Sequence, residues 1–225
     1  MKDTIINVPT DVFLCSAAIS YNGPFTGTFR KSLLDYWITL ISAKDLPLSQ
    51  DFQITKTLGD PLIMRDWMID GLPSDTVSLE NAIFAMEGNR WPLVIDPQSQ
   101  ATKWLTNMLS KDKKTVTKIT SPSFLQDMRA SIKNGVPVLL IDIEDTLPAV
   151  LDSVFAKEVK MIDNMPMIKF GDENIYYDEK FRIFMFTKIS NPNFLPEIFI
   201  RVNIINFTVT FDGLKEQLLA TVVKH

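Results

Sequence analysis

The sequence has one histidine, His225, its last residue, and one cysteine, Cys15. A Ser-His or Cys-His nucleophilic pair therefore has no base to draw on, and a zinc site built from Cys and His has too few ligands. A lone cysteine excludes an internal disulfide, and FLCSAAI surrounds it with the apolar neighbours of a buried filler residue. With no Cys-rich framework, and an N-terminal MKDTIINVPT too polar and broken for a signal peptide, the chain reads as intracellular. No apolar run approaches the roughly 18 to 20 residues of a membrane span. Only eight glycines occur and none precedes a lysine, so the phosphate-loop pattern GxxxxGK[ST] is absent. The net charge is −4 and the basic residues are scattered apart from Lys111, Lys113 and Lys114, which leaves no footprint for nucleic acid.

What is present is apolar: 46% of 225 residues, enough for the core of one α/β domain with an appendage. Residues 11–46 read as two helices broken at Asn22-Gly23-Pro24. Phe29, Leu33, Trp37, Leu40 and Ile41 recur at the spacing of one helical face in the second. Residues 47–75 read as irregular, punctuated by Gly59-Asp60-Pro61 and Gly71-Leu72-Pro73, and a short helix fits 78–87 before Gly88. From Trp91 onward the strand-like segments WPLVID, TVTKIT, VPVLLIDI, FRIFMFTKI and VNIINFTVT alternate with helix-like ones, LPAVLDSVFAKEV among them. That alternation predicts a mostly parallel sheet flanked by helices, with a hairpin at MIKFGDENIYY. The tail from Gly213 reads as the start of a helix.

A strand-loop-helix over residues 91–109 stands where an α/β nucleotide-binding protein carries its phosphate loop. Here the loop is Asp96-Pro97-Gln98-Ser99-Gln100-Ala101-Thr102-Lys103. It has no glycine to let backbone amides close around phosphate, Pro97 removes one donor, and Lys103 is its sole cation. Downstream, Asp142 and Glu144 alternate in LLIDIED. On a regular strand they would share a face and could hold a divalent ion; the other reading is a strand end entering a solvated loop.

Longer motifs carry a resemblance. Gly71-Leu72-Pro73-Ser74-Asp75 with Ser78-Leu79-Glu80-Asn81 is similar to the GLPxDxxSxEN segment of dynein heavy chains. The run from Arg90-Trp91-Pro92-Leu93 through Ile95-Asp96-Pro97-Gln98 to Lys103-Trp104 resembles that family's RWPLxIDPQxQAxKW signature. Upstream, Tyr21-Asn22-Gly23-Pro24-Phe25-Thr26 and Phe29-Arg30 resemble its YxGPFTxxYR segment. Downstream, Lys169-Phe170-Gly171-Asp172, residues 187–192, residues 205–210 and residues 213–219 continue the match in order. The chain departs from the family's wording at 137–145 and at Asn193-Phe194.

The resemblance implies the fifth AAA+ module of a motor ring, of axonemal type, whose large subdomain has strand order 5-1-4-3-2. It implies a helical segment at 1–50, an α/β subdomain at 51–212, and at 213–225 the start of a helix toward a small subdomain. By the same resemblance the module does not hydrolyse ATP; without a phosphate loop it is expected to bind no nucleotide and to hold no metal, while ATP and Mg belong to neighbouring modules. Its partners would be those modules. Intermediate chains, light chains and microtubules would be met only through the whole motor, in the cytoskeleton of a cilium. Asn191 occupies the place of a γ-phosphate sensor, or simply starts a turn. Arg201 is the inter-module candidate, an arginine that could reach the preceding module's nucleotide or form a structural salt bridge. The competing reading is a degenerate nucleotide- or metal-binding enzyme using Asp142, Glu144 and Lys103.

Overall fold

The computed structural model describes residues 2–111, 113–209, 213–215, 218, 219 and 222. The chain divides into two units, Asn89–Phe207 and Met1–Gly88 with Thr208–His225. The expected boundary at 50/51 falls inside the latter.

Short apolar runs can bury both faces only inside a sheet covered on both sides. In Asn89–Phe207 they form β1 (Pro92–Ile95), β2 (Thr115–Lys118), β3 (Val138–Ile141), β7 (Ile183–Thr187) and β8 (Asn203–Asn206). The order across the sheet is β2-β3-β7-β1-β8, every pairing parallel. Numbering only these five strands along the chain, this is 5-1-4-3-2 read from the other edge, as expected. The central strands are the most apolar: every residue of β1 and β7 is buried, whereas edge strand β2 buries only Thr117. Helices α6 (Gln100–Met108) and α7 (Phe124–Asn134) connect β1 to β2 and β2 to β3. Leu93, Ile132, Leu140 and Met185 share one core cluster at full burial, each contributing about 1.5–3 kcal/mol.

The segment LPAVLDSVFAKEV, expected to be one helix, forms only a 3-10 turn at Ala149–Leu151 and a single α turn, α8 (Asp152–Phe155). Lys157 then adopts φ 51, and the chain enters β4 (Val159–Ile162), a strand the sequence reading missed. β4 pairs antiparallel with β5 (Met165–Phe170), which pairs with β6 (Glu173–Tyr176) across the expected hairpin. Asp163 and Asn164, both at positive φ, make the β4–β5 turn, the two residue types best suited to a tight hairpin. The last helix, α9 (Pro196–Arg201), leads into β8.

In the other unit, α1 (Lys2–Tyr21) begins well before the expected residue 11 and carries Pro9 within it, and α2 (Gly27–Ser42) follows the expected break. Of the apolar stripe expected on α2, Ile41 alone is buried; Phe29 and Leu40 are exposed. Residues 47–75 hold two helices where none was expected, α3 (Ile54–Thr57) and α4 (Pro61–Ile69). Gly59-Asp60-Pro61 is a helix start rather than a loop: the Asp60 carboxylate accepts Leu62 N–H at 2.8 Å, and Pro61 has no amide to leave unsatisfied. Asp75 caps α5 (Thr76–Glu87) in the same way, accepting the Ser78 N–H at 2.9 Å and its hydroxyl at 2.8 Å. Gly88 does follow the helix, but in extended geometry. Of the expected tail helix, residues 213–215, 218, 219 and 222 are helical; the remainder lies outside the described residues.

The unit also buries a guanidinium. Arg30 is 3% exposed, its Nε donates to Phe25 O at 2.9 Å and its Nη2 to Gly23 O at 2.8 Å. The guanidinium lies 5.3 Å above the Phe84 ring, and Nη1 is 3.8 Å from Glu80. Burial lowers the Arg30 pKa to about 10 against the opposing pull of Glu80, and burial raises that of Glu80 against the pull of Arg30. Two motifs fifty residues apart in the sequence, at 21–30 and 71–81, thus meet in one polar cluster.

Candidate functional site

The open end of a parallel sheet, beyond the C-termini of its strands, is where α/β proteins of this topology place ligands. At the end of β1 the Asp96 N–H donates to Thr187 O on β7 at 2.9 Å, and the Asp96 side chain is 1% exposed. Ser99 then takes the left-handed conformation, φ 58, which turns the chain into α6. This turn brings the first amides of α6 onto the Asp96 carboxylate. Oδ1 accepts Gln100 N–H at 2.8 Å; Oδ2 accepts Thr102 N–H at 2.8 Å and the Thr102 hydroxyl at 2.7 Å. A helix N-terminus presents unpaired N–H groups and partial positive charge, which suits an anion. The anion here is a side chain of the same protein.

Of the other loop residues, Pro97 and Ser99 are half-buried, Gln98 is exposed and Ala101 is buried. Lys103 is exposed on α6. A shallow cavity at the ends of β3 and β7 is lined by Asp142, Ile143, Glu144, Asp145, Lys188 and Ile189, and Lys103 is not in it. The three residues of the enzymatic reading are therefore not brought together.

The expectation that Asp142 and Glu144 share a strand face is corrected by the backbone. β3 ends at Ile141, and Asp142 has φ 57, so the alternation of a strand stops before either acid. Asp142 accepts from Lys118 Nζ at 2.6 Å and lies 3.1 Å from Lys188 Nζ. The hydrogen bonds from Lys118 and then Lys188 hold its carboxyl below the usual range. Glu144 is exposed, and Asn191 is exposed beyond the end of β7. Among the described residues no group of three His, Cys, Asp or Glu is arranged to hold a metal ion.

Arg201 ends α9, immediately before β8, at the opposite end of the strands from Asp96. Its Nη1 lies 2.6 Å from Asp152 Oδ1, with both side chains about two-fifths exposed. They border a cleft of about 550 Å³ shared with Arg90 and Lys157. Arg90 donates to Phe199 O at 2.7 Å, and Lys157 Nζ sits 4.2 Å over the Trp91 ring while donating to Asn89 O. Burial, followed by the charge of Arg182, lowers the pKa of Lys157.

Thr102 is among the loop residues expected from sequence, though not as the partner of Asp96, whereas Lys118 and Lys188 were not expected at the site. The hydroxyl two residues into α6 was a signal for that pairing. No local pattern marks the two lysines, which meet Asp142 only because β2, β3 and β7 are neighbours.

A parallel sheet in this order, with a strand-loop-helix at β1 and an acidic exit from β3, defines an AAA+ large subdomain, here with an aspartate of the β1 loop accepting the first amides of the helix that follows. Residues 65–225 match the family model described as the ATP-binding dynein motor region, and the chain belongs to that family. It is 42% identical over 223 residues to human dynein axonemal heavy chain 6, covering 99% of this chain. It is 40% identical over 220 residues to the dynein-1-beta heavy chain of the flagellar inner arm I1 complex of Chlamydomonas reinhardtii, covering 97% of the chain. Against human dynein axonemal heavy chain 10 it is 37% identical over 216 residues, 96% of the chain. The chain spans about 5% of the length of each of these relatives. Among the described residues no helix is long and apolar enough to cross a membrane.

Proposed function

We propose that this chain is a non-hydrolysing module of a dynein heavy-chain ring, a structural part that binds no nucleotide and passes rigid-body motion between its neighbours. The observation that carries this reading is the Asp96 carboxylate on the amides of Gln100 and Thr102, the place a phosphate would need. The competing metal or nucleotide enzyme is disfavoured because Asp142 is already paired with two lysines. In the whole motor, ATP and Mg would sit in neighbouring modules, and microtubules, intermediate chains and light chains would be engaged elsewhere. The relatives named axonemal or flagellar support a place in the ciliary axoneme.

Titration calorimetry with Mg-ATP and Mg-ADP tests this directly. No saturable heat is expected up to a dissociation constant of about 1 mM, equivalent to about 4 kcal/mol of binding. Saturable binding abolished by Lys103→Ala would overturn the reading.

For Arg201 we propose a positioning bond within the module, with the guanidinium still exposed enough to face the preceding module. The Arg201→Ala change in a full heavy chain is expected to slow hydrolysis at the preceding module's site. Unchanged nucleotide affinity and turnover there would leave Arg201 with the Asp152 pair alone.

A further inference from the structure

We propose that the C-terminal rim of the parallel sheet is self-liganded. Asp96 supplies the anion at the start of α6, and Lys118 with Lys188 the cations around Asp142, so that four strand ends are held together without any bound molecule. This rests on the reading above that the rim takes no nucleotide, and it goes further by assigning the chain's own charges the work of a ligand.

The contacts run without a break across four adjacent strands. The Asp96 carboxylate gathers α6, and the backbone N–H of the same residue donates to Thr187 O at 2.9 Å. The Thr187 hydroxyl, fully buried, accepts the Ile189 N–H at 3.2 Å, which fixes the exit of β7. Between them Lys188 reaches Asp142 at 3.1 Å, and Asp142 is tied to Lys118 at the end of β2 at 2.6 Å. The exit of β3 is fixed again by Ile143 N–H on Phe186 O at 2.9 Å. An anion at the helix N-terminus and cations around the acidic strand exit reproduce, with side chains, the alternation of charge that phosphate and a divalent ion would bring.

A device of this kind differs from a simple helix cap in its reach. Loss of a cap frays one helix turn; loss of a rim ligand loosens strand ends that the side chain never touches. Hydrogen exchange of the 225-residue chain, with Asp96→Ala and with Asp96→Asn, separates the two. In Asp96→Ala the amides of Gln100 and Thr102 are expected to exchange at least tenfold faster, and those of Ile143 and Ile189 by a similar factor. Sodium formate, which restores a carboxylate to the vacated space, is expected to reverse most of both changes where sodium chloride at equal ionic strength does not. The Asp96→Asn variant, which keeps one carbonyl acceptor, is expected to show the same pattern at smaller amplitude, and it decides by the same criterion should the alanine variant not fold. A Lys118→Met, Lys188→Met double variant is expected to speed Ile143 and Ile189 and, because coupling along the rim is reciprocal, Gln100 and Thr102 as well.

Acceleration confined to Gln100 and Thr102, or no response to formate beyond that of chloride, would overturn the proposal. Nucleotide binding to the unaltered chain would instead overturn the non-binding reading, so the two failures are told apart.

Discussion

Arg30→Ala is expected to destabilise the unit containing α1 to α5 by about 3–5 kcal/mol, the usual result of removing one partner from a buried charged pair. The loss has two parts. The carbonyls of Gly23 and Phe25 lose their donors, and Glu80 keeps a mostly buried carboxylate with no cation beside it. Arg30→Lys should recover little, because one ammonium cannot serve two carbonyls and also lie flat over Phe84.

The pH dependence gives a second readout. Burial already raises the Glu80 pKa above its usual value, and removing Arg30 takes away the influence that opposed it. With the folded pKa above the unfolded one, the folded state binds more protons between the two, so stability falls as pH rises through that window. The deficit of Arg30→Ala should therefore shrink on acidification from neutral pH toward the ordinary glutamate range. A deficit constant across that range would mean that Glu80 is not the stranded group. Exchange at amides of α5 is the measurement to use, since two compact units need not melt as one transition.

Trp91→Ala should cost the Asn89–Phe207 unit a similar amount, about 3–5 kcal/mol. Trp91 is 6% exposed, its indole N–H donates to Val154 O at 2.8 Å, and its ring meets Phe181 edge-on at 6.0 Å. Truncation leaves a cavity beneath β1 and a carbonyl without its donor, and it removes the face on which Lys157 rests. Trp91→Phe keeps most of the volume and should lose only about 1–2 kcal/mol, chiefly the hydrogen bond. Urea denaturation followed by circular dichroism compares the two. Equal losses would show that the hydrogen bond, rather than the ring volume, dominates.

The parallel sheet was legible because its strands are apolar on both faces, VPVLLIDI most plainly, and because turn residues separate them from helices of ordinary length. The missed helices α3 and α4 show where local chemistry is ambiguous. Asp-Pro marks the end of one element and the start of another with equal force, and only the Asp60 cap decides between them. β4 was hidden by a helix-like run that stops when Lys157 turns left-handed, a conformation the lysine side chain does nothing to announce. At the candidate site, what the loop lacked was legible and what replaced it was not. The missing glycine and the proline are visible in the letters. The Asp96 cradle depends on Ser99 folding amides back onto a residue several positions upstream, and the Asp142 pairs depend on strand adjacency.

The position of β1 in the sheet has a consequence for synthesis. Leu93 finds its neighbours in Met185 and Ile204, so β1 is made long before either strand that will flank it. At roughly 5–20 residues per second a ribosome needs about 6–22 s to bring β8 out after β1. Until β7 emerges, shortly before β8, an apolar strand waits with both hydrogen-bonding edges open, while β2 and β3 can already pair with each other. During synthesis the exposed strand is thus an early one, which will finish inside the sheet between β7 and β8.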